Sequence, residues 1–359
     1  MKTQRLILCG LGNVGRSFLH IMQTQADLLR ERYDLELTVV AAADSAGAIL
    51  DLHDIDAKLL LNHKLRKQSV SSLPGGIVGM NGIELAARVE ADILLEATPV
   101  NLRDAQPALD TCLTALRRGM SVVLANKAPL ALAYQQLAEL SDMGKPSPER
   151  GHPYDWPALR FSACVGGSMP TINIGRRDLA GARVERVEAV LNGTTQGILR
   201  AMENGVAYAD ALAEMQRRGL AETDPSLDVE GWDAANKLSI IANAVLQQPS
   251  TVHDVQVQGI TELTLDDLRA AQERHERVVL LCLAQKDESN SARFVLSVRP
   301  TALPQYHPLA RMTDDEMGVV YYTDITGAQT ATTMERDPIP TAAAMLRDVI
   351  DISLRKGSS

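Results

Sequence analysis

Short hydrophobic runs alternate with stretches of helical hydrophobic spacing over the first 145 residues of the chain. The runs are RLILCG (5–10), LELTVVAAAD (35–44), ADILLEATP (91–99) and MSVVLAN (120–126). The stretches with helical spacing are 13–30, 104–119 and 129–142. Continuous apolar strands that alternate with helices are typical of a parallel sheet covered on both faces. The pattern therefore predicts a doubly wound α/β domain over residues 1–145.

Residues 144–157, GKPSPERGHPYDWP, separate this domain from a region with a different pattern. The segment has four prolines and no hydrophobic period, so we interpret 146–157 as a Pro-rich linker. The later runs with strand character are LRFSACV (159–165), ARVERVEAVLN (182–192), ERVVLLCLAQ (276–285), ARFVLSVRP (292–300), EMGVVYYTDIT (316–326) and AQTATTM (328–334). The helical stretches begin near Met169 and cover 195–204, 207–218, 229–246 and 340–355. This order predicts an α+β domain over 158–335 with a mixed or antiparallel sheet, and a C-terminal segment, 336–359, whose helix packs back on the first domain.

Composition and charge narrow the class of protein. A chain of 359 residues exceeds the usual size of one core and favours two domains. The formal net charge of −9 argues against partners such as nucleic acid or an anionic membrane surface. No apolar run approaches the roughly 18 residues of a spanning helix. The four cysteines are far apart and lie in apolar runs (Cys9, Cys112, Cys164 and Cys282), which predicts buried thiols in a reducing cytoplasm.

Residues 10–15, GLGNVG, match the pattern of a dinucleotide-binding turn between a strand and a helix. Gly10 allows a tight turn, Gly12 lets the backbone approach a pyrophosphate, and Gly15 allows close packing of helix and strand. Asn13 and Val14 open the helix, whose N-terminal N–H groups favour phosphate. A glycine-rich turn without a ligand is the alternative. The strand and helix around the motif favour a Rossmann-type domain that binds NAD or NADP.

Asp44 ends the second predicted strand, where an acidic residue accepts a hydrogen bond from the ribose 2′-hydroxyl in NAD-binding domains. It follows Gly15 by 29 residues, more than the usual spacing of about 20. A carboxylate here repels a 2′-phosphate, so the sequence favours NAD over NADP. The alternative is that Asp44 only begins the turn Asp-Ser-Ala-Gly.

Several segments together resemble the homoserine dehydrogenase family, in an order that covers nearly the whole chain. They are GLGNVG (10–15), LLEATP (94–99), GMSVVLANKAPLA (119–131), VGGSMPTI (165–172), LNGTTQGIL (191–199) and LAETDPSLDVEGWDAANKL (220–238). The resemblance implies reversible conversion of L-aspartate 4-semialdehyde and L-homoserine with a nicotinamide cofactor, a step towards threonine and methionine. It also implies that 158–335 is a catalytic and dimerisation domain and that the protein is a homodimer.

Asp233 and Lys237 are four residues apart on an apolar helix, so they share one face. The alternative is an ion pair on the protein surface. The apolar helix favours a buried pair, and because burying two charges is costly, a buried pair indicates a functional role. The resemblance assigns Lys237 as the proton donor and acceptor at the substrate oxygen. It assigns Asp233 to homoserine binding and the proton path.

Four other acids precede Lys237. The resemblance makes Glu222 a substrate-binding residue with the α-ammonium as its target. Asp224 and Asp228 flank the site, as support for it or as helix caps. Glu230 is expected to be solvated.

Lys127 follows a predicted parallel strand, at the edge where ligands bind in open α/β sheets. The resemblance puts it between nicotinamide and substrate, and puts Thr98 and Pro99 beside the nicotinamide. In the segment 192–195, NGTT, the hydroxyl of Thr194 is predicted to contact the substrate carboxylate or to cap a helix.

The chain departs from the family pattern in three places. Ser162 replaces a glutamate before the turn whose carbonyls, at Val165 and Gly167, hold a monovalent cation such as sodium in some members. A glycine-rich cofactor loop is replaced by MERDP (334–338), whose acids favour NAD. We expect no regulatory domain and no fused aspartate kinase beyond the catalytic portion.

Two other functions compete with this interpretation. One is another two-domain dehydrogenase that acts on an amino acid, against which the NGTT and ETDP segments argue. The other is a non-catalytic dinucleotide-sensing protein, which would not need Lys127, Asp233 and Lys237 together.

Overall fold

A computed structural model describes residues 1–51, 53–146, 155–290, 292–335 and 337–355. The chain forms two compact units. The first comprises Met1–Ser168 and the C-terminal segment that begins at Asp337, and the second lies between them from Met169 onwards. Most of the predicted linker, 147–154, lies outside the described residues. The second unit therefore begins after the predicted boundary at 158, because 158–168 belongs to the first unit.

The first unit is built on a seven-stranded sheet with the order β4-β3-β2-β1-β5-β6-β7. Its strands are β1 Lys2–Cys9, β2 Leu35–Asp44, β3 Gly47–Leu50, β4 Gly76–Val78, β5 Ile93–Glu96, β6 Ser121–Leu124 and β7 Leu159–Arg160. The pairs among β2, β1, β5 and β6 are parallel, as predicted. The strand β7 also pairs parallel with β6, although its sequence was assigned to the second domain. The short strands β3 and β4 pair antiparallel at the edge and were not predicted.

Helices cover the sheet, and the chain forms more of them than the pattern predicts. They are α1 Asn13–Thr24, α2 Ala26–Tyr33, α3 Ala57–Leu65, α4 Gly82–Arg88, α5 Ala108–Arg117 and α6 Ala128–Glu139. The predicted helix over 13–30 is divided at Gln25 into α1 and α2. The C-terminal helix, Ile339–Arg355, packs against α1 within the same apolar core, as predicted.

The segment LRFSACV (159–165) was predicted to be one strand, and this prediction is wrong. Only Leu159–Arg160 pairs with β6, and a single 3₁₀ turn follows at Ser162–Cys164. The reason is a side chain distant in sequence. The backbone N–H and the hydroxyl of Ser162 both donate to Asp348 of the C-terminal helix, at 2.8 and 2.6 Å, so the chain leaves the sheet.

The second unit contains a six-stranded mixed sheet with the order β13-β12-β8-β10-β11-β9. The strands are β8 Val184–Val190, β9 Val255–Val257, β10 Glu276–Lys286, β11 Phe294–Pro304, β12 Glu316–Thr323 and β13 Gly327–Met334. All pairs are antiparallel except that of β9 with β11. This mixed sheet agrees with the predicted α+β class.

Helices of the second unit carry most of its candidate site residues. They are α7 Thr171–Asn173, α8 Gly193–Glu203, α9 Tyr208–Arg217, α10 Ser226–Val229, α11 Trp232–Ala244 and α12 Leu265–Glu273. The predicted helix over 229–246 is interrupted at Gly231, which has φ +90°, a left-handed conformation that favours glycine. The break separates α10 from α11.

The four cysteines are free and buried, as predicted. Within the described ranges, the chain forms no helix with the length and apolar character needed to cross a membrane.

Candidate active site

The glycine turn of the first unit has the geometry that its sequence predicts. Gly10 has φ +92°, and a Cβ there would lie 2.4 Å from the carbonyl carbon of Ala97. A Cβ at Gly15 would lie 2.1 Å from the carbonyl oxygen of Gly10. A Cβ at Gly12 would meet nothing within 4 Å. Two glycines are thus required for packing, and the third leaves open space above the turn.

The N-terminus of α1 provides the positive potential that a phosphate needs. Gly12 is the N-cap, no side chain caps the helix, and its first turn has no acidic residue. Asn13 is exposed and accepts a 2.6 Å hydrogen bond from Arg16, while Val14 packs against the apolar core. The turn and the helix end together form a surface that fits a pyrophosphate.

Asp44 ends β2, and its carboxylate is saturated by neighbours. Oδ1 accepts from Ala46 N–H at 3.0 Å and from the Ser69 hydroxyl at 2.8 Å. Oδ2 accepts from Lys64 Nζ at 2.6 Å and from Val70 N–H at 3.0 Å. Burial acts to raise the pKa of Asp44, but these bonds, led by that from Lys64, outweigh it and lower the pKa. The carboxylate of Asp44 thus fixes the turn that follows β2, and a ribose hydroxyl would have to displace one of these donors.

The ends of β5 and β6 bring together residues that the sequence predicted for the nicotinamide side. Thr98 is half-buried and Pro99 is exposed. Asn126, which precedes Lys127, donates to the Thr98 hydroxyl at 3.2 Å and to the Pro99 carbonyl at 3.3 Å. Lys127 is the N-cap of α6 and is half-buried. The side chain of Asn126 thus joins the two strand ends.

Asp233 and Lys237 form a largely buried ion pair in the second unit. Lys237 Nζ lies 2.7 Å from Asp233 Oδ2, and the two side chains are only 13% and 10% exposed. Lys237 also donates to the carbonyl of Leu191 at 2.6 Å. This contrasts with an exposed helix pair, which contributes only about 0.3–0.5 kcal/mol and leaves both groups in water. The predicted pair is therefore a shielded ammonium with a fixed position.

Asn192 is the centre of this cluster, and the sequence pattern assigned no role to it. Its Nδ2 donates to Asp228 at 2.6 Å and to Asp233 at 2.9 Å. Its Oδ1 caps α8 by accepting from Thr195 N–H at 2.9 Å. One amide therefore joins two carboxylates that would otherwise repel each other. Asn192 directly precedes the observed start of α8 at Gly193, the favoured position for an asparagine N-cap, whereas the helix was predicted to start only at residue 195.

The acids before α11 separate into two groups. Asp228 is half-buried in the cluster with Asp233. Glu222 is exposed, and Glu230 is exposed at the end of α10. Asp224 accepts from Ser226 N–H at 3.1 Å, so it fixes the turn that leads into α10, and hydrogen bonds from Ser226 lower its pKa. Asp228 is therefore joined through Asn192 to Asp233, the ion-pair partner of Lys237.

The Thr194 hydroxyl is directed at the backbone. It donates to the carbonyl of Leu220 at 2.9 Å. This bond attaches the start of α8 to the segment that follows α9 and commits the single hydroxyl proton. A substrate carboxylate would need another donor from this segment or a rotation of the hydroxyl.

The turn that contains Val165 and Gly167 has a buried acid beside it. Gly166 and Gly167 both have positive φ, and Ser162 at the start of the turn is bound to Asp348. Burial raises the pKa of Asp348 to about 6, against the hydrogen bonds from Ser162. A carboxylate of the C-terminal helix, that of Asp348, thus lies beside the Ser162 side chain. Within the described parts of the chain, no group of three or more His, Cys, Asp or Glu side chains could hold a metal.

The first unit combines a parallel sheet, a glycine turn and an uncapped helix N-terminus, and the second presents a buried lysine–aspartate pair. Together they define a two-domain nicotinamide-dependent dehydrogenase. The sequence model of the homoserine dehydrogenase family matches residues 170–350, and that of the family's NAD-binding domain matches 10–145. The chain therefore belongs to the homoserine dehydrogenase family, whose members are NAD(P)-dependent oxidoreductases acting on a CH–OH group.

Individual relatives agree with this assignment. The NAD(+)-dependent homoserine dehydrogenase of Pseudomonas canavaninivorans is 32% identical over 353 residues, which cover 98% of this chain and 97% of that protein. A homoserine dehydrogenase from Thiobacillus denitrificans has a similar structure, with a TM-score of 0.81 and 29% identity over 98% of this chain and 74% of that one. A hyperthermophilic archaeal homoserine dehydrogenase, solved in complex with NADPH, gives a TM-score of 0.80 and 25% identity, covering 98% of each chain.

Proposed function

We propose that this protein catalyses reversible hydride transfer between L-homoserine and a nicotinamide cofactor, with L-aspartate 4-semialdehyde as the other product. The observation that supports this most strongly is the buried Asp233–Lys237 pair in a chain of this family. The reaction would be a step in the pathway to threonine and methionine. Residues 1–145 would bind the cofactor, and 158–335 would supply the groups that act on the substrate.

Lys237 is the proton donor and acceptor in this proposal. When a hydride reaches the aldehyde carbon, the oxygen becomes an alkoxide that needs a proton. Lys237 has three N–H bonds, and its described partners, Asp233 and the Leu191 carbonyl, use two. The third can serve the substrate oxygen. Asp233 keeps the ammonium in place through the 2.7 Å ion pair.

The other groups bind and orient the substrate. Asp228 and Asp233 accept hydrogen bonds from the same amide, that of Asn192. We therefore propose that the Asp228 carboxylate binds the α-ammonium group of the substrate. Glu222 is exposed, and we propose it as a second carboxylate that binds the α-ammonium group of the substrate. Thr194 would orient the carboxylate, after its hydroxyl leaves the Leu220 carbonyl. Lys127 is proposed as a second cation that acts beside the nicotinamide.

The cofactor is proposed to be NAD rather than NADP. A buried carboxylate at the end of β2, Asp44, disfavours a 2′-phosphate even though its acceptor sites are used within the domain. The acids Glu335 and Asp337 also favour NAD over NADP. Arg336, which lies between them in the sequence, is outside the described residues. The Pseudomonas relative is named for NAD(+), whereas the archaeal relative was solved with NADPH. Initial rates with each cofactor under the same conditions test the preference.

A monovalent cation at the carbonyls of Val165 and Gly167 is a further part of the proposal. The buried Asp348, bound to Ser162 at the start of that turn, supplies a nearby negative charge. Bound there, the cation would fix the backbone of the turn. Activity in sodium chloride, compared with tetramethylammonium chloride at equal ionic strength, tests this: equal rates would remove the cation from the account.

A homodimer in the cytoplasm completes the proposal. The second unit's mixed sheet could provide the dimer surface, and the four free thiols suit a reducing compartment. Size-exclusion chromatography with light scattering distinguishes a dimer from a monomer.

The experiment that tests the function is absorbance at 340 nm with L-homoserine and either NAD or NADP. We expect reduced cofactor to accumulate, faster with NAD. In the reverse assay, L-aspartate 4-semialdehyde supplied together with NADH should be reduced while NADH is consumed. Reduction with another amino acid and not with homoserine would favour a different two-domain dehydrogenase. Binding of cofactor without any turnover would favour the non-catalytic dinucleotide-sensing protein.

A further inference from the structure

Glu96 is a buried acid at the carboxyl end of β5, at the edge of the sheet that the glycine turn also occupies. It is 1% exposed. Across the described residues, no lysine, arginine or histidine forms a salt bridge with it. A carboxylate without a cation is costly to bury, since water solvates its charge far better than a protein interior does. Its position therefore needs an explanation beyond packing.

One carboxylate oxygen of Glu96 holds Thr98, a residue of the candidate cofactor site. Its Oε1 accepts from the backbone N–H of Thr98 at 2.9 Å and also from the Thr98 hydroxyl. Because that hydroxyl donates to Glu96, it accepts the 3.2 Å bond from Asn126 Nδ2. The order Asn126, Thr98, Glu96 is thus a directed chain of hydrogen bonds across the ends of two strands.

The backbone of Glu96 extends the same connection to Lys127. Its carbonyl accepts from the N–H groups of Ala125 and Asn126, at 2.9 and 3.3 Å. Asn126 in turn accepts from Ala128 N–H at 3.1 Å, on the far side of Lys127. Glu96 therefore binds Asn126 directly through its backbone carbonyl and indirectly through Thr98. Asn126 in turn binds Ala128, so the residues on both sides of Lys127 are held in place.

The second oxygen of Glu96 lies in an apolar environment. Oε2 is buried and has no hydrogen-bond partner among the described residues. The titratable groups that interact electrostatically with Glu96 are the thiols of Cys9, at the end of β1, and Cys112, in α5, and burial raises the pKa of both. Burial likewise raises the pKa of Glu96 to about 7, against the hydrogen bonds from Thr98 and Asn126. Glu96 thus changes its charge in the neutral range.

We propose that Glu96 is a positioning residue for this reaction, because its carboxylate holds Thr98–Pro99 and Asn126–Lys127 in the arrangement that binds the nicotinamide cofactor. It is not a catalytic residue, since it acts through Thr98 and Asn126. The proposal rests on the proposed function for the roles of Thr98 and Lys127.

The charge of Glu96 distinguishes this role from simple packing. A charged acceptor binds an N–H or O–H donor more strongly than a neutral one. The loops are therefore held best when Glu96 is ionised, and cofactor affinity should weaken as the pH falls through about 7. A packing role alone would not couple the cofactor affinity to this titration.

The test measures the dissociation constant of NADH by fluorescence from pH 6 to pH 8.5, in the wild type and in Glu96→Gln. The amide keeps the shape and one oxygen acceptor but cannot titrate. We expect the wild-type constant to rise several-fold towards pH 6, and the constant of Glu96→Gln to be nearly independent of pH and raised at pH 8. Asp54→Asn is the matched control, a second acid of the same unit whose pKa is raised by burial, and it should keep the wild-type pH dependence.

A second variant, Thr98→Val, addresses the hydrogen-bond chain itself. If Glu96 acts through Thr98, the effects of Thr98→Val and Glu96→Gln on NADH affinity will be much less than additive. Circular dichroism confirms that each variant is folded, and Glu96→Gln, being isosteric, carries the test if larger changes unfold the unit. A Glu96→Gln protein with wild-type affinity and a wild-type pH profile would overturn the proposal.

The outcome is separable from that of the proposed function, because NADH binding is measured without turnover. A wild type that fails to oxidise homoserine but shows the Glu96-dependent NADH profile would reject the proposed reaction and keep the positioning role. If the wild type oxidises homoserine and Glu96→Gln binds NADH with the wild-type affinity and pH dependence, the proposed reaction is kept and the positioning role is rejected.

Discussion

At the scale of single residues, the site depends on a few polar side chains that hold the acids and cations in place. Lys237 and Asp233 were predicted from their spacing of four on an apolar helix, and the structure pairs them at 2.7 Å. Asn192 was not predicted, because its partners Asp228 and Asp233 lie 36 and 41 residues away. Contacts at that separation depend on the tertiary fold and leave no periodic signal in the sequence.

Asn192→Ala should lower kcat/KM for homoserine by at least about tenfold, because Asp228 and Asp233 lose their common donor. The loss of the two hydrogen bonds from Nδ2 and of the cap of α8 should also reduce the free energy of unfolding by about 1–3 kcal/mol. Steady-state kinetics and urea unfolding measure the two effects. Asn204→Ala, which removes a side chain at the other end of α8, is the control and should retain wild-type kinetics. Equal kinetics in the two variants would exclude the role given to Asn192.

At the scale of elements, the hydrophobic pattern predicted the strands β1, β2, β5 and β6 and the helices that carry the main candidates. It failed where a backbone conformation or a distant side chain decides the structure. The run LRFSACV has strand character, but Asp348 draws Ser162 out of the sheet. Gly231 lies inside a helical pattern, and the sign of its φ cannot be read from that pattern.

Gly231 is the element-scale feature that places Asp228 and Asp233 on separate helices. Its φ of +90° disfavours any L side chain, at a cost of about 1–2 kcal/mol. A Cβ there would also lie 3.2 Å from Val257 Cγ1 and 3.3 Å from Val298 Cγ1. Gly231→Ala should therefore lower the thermal midpoint and raise KM for homoserine.

Gly219→Ala is the matched control for this change. Gly219 also has positive φ, +72°, but a Cβ there would meet no atom within 4 Å. It should lose stability through the backbone alone and keep a KM close to that of the wild type. If Gly219→Ala raised KM as much as Gly231→Ala, the break between α10 and α11 would not be what positions the acids.

At the scale of the whole molecule, the alternation of runs and helices was enough to predict two units and the return of the C-terminal helix to the first. The boundary was placed too early because β7 follows the Pro-rich segment and still pairs with β6. The composition of the Pro-rich segment does not indicate which sheet the next strand joins, because that depends on strand pairing in the folded structure.

Stability as a function of pH belongs to this scale, because two buried acids contribute to it. Burial raises the pKa of Glu96 to about 7 and of Asp348 to about 6, so the folded protein binds more protons than the unfolded chain below these values. The free energy of unfolding should therefore fall as the pH rises from 6 to 8. Glu96→Gln should remove about 1 kcal/mol of that fall. Urea unfolding of both proteins at the two pH values measures the difference, and equal slopes would show that Glu96 titrates as an exposed acid does.

The proposed function requires that Lys237 transfers the proton at the substrate oxygen and that the first unit binds the cofactor independently of Lys237. The most direct measurement is kcat for homoserine oxidation by Lys237→Ala, together with its dissociation constant for NADH. We predict a loss in kcat of about 10²–10⁴-fold, the range for a positioned acid–base group, with NADH affinity close to the wild-type value. A Lys237→Ala enzyme that retains kcat within a few-fold of the wild type would contradict the account.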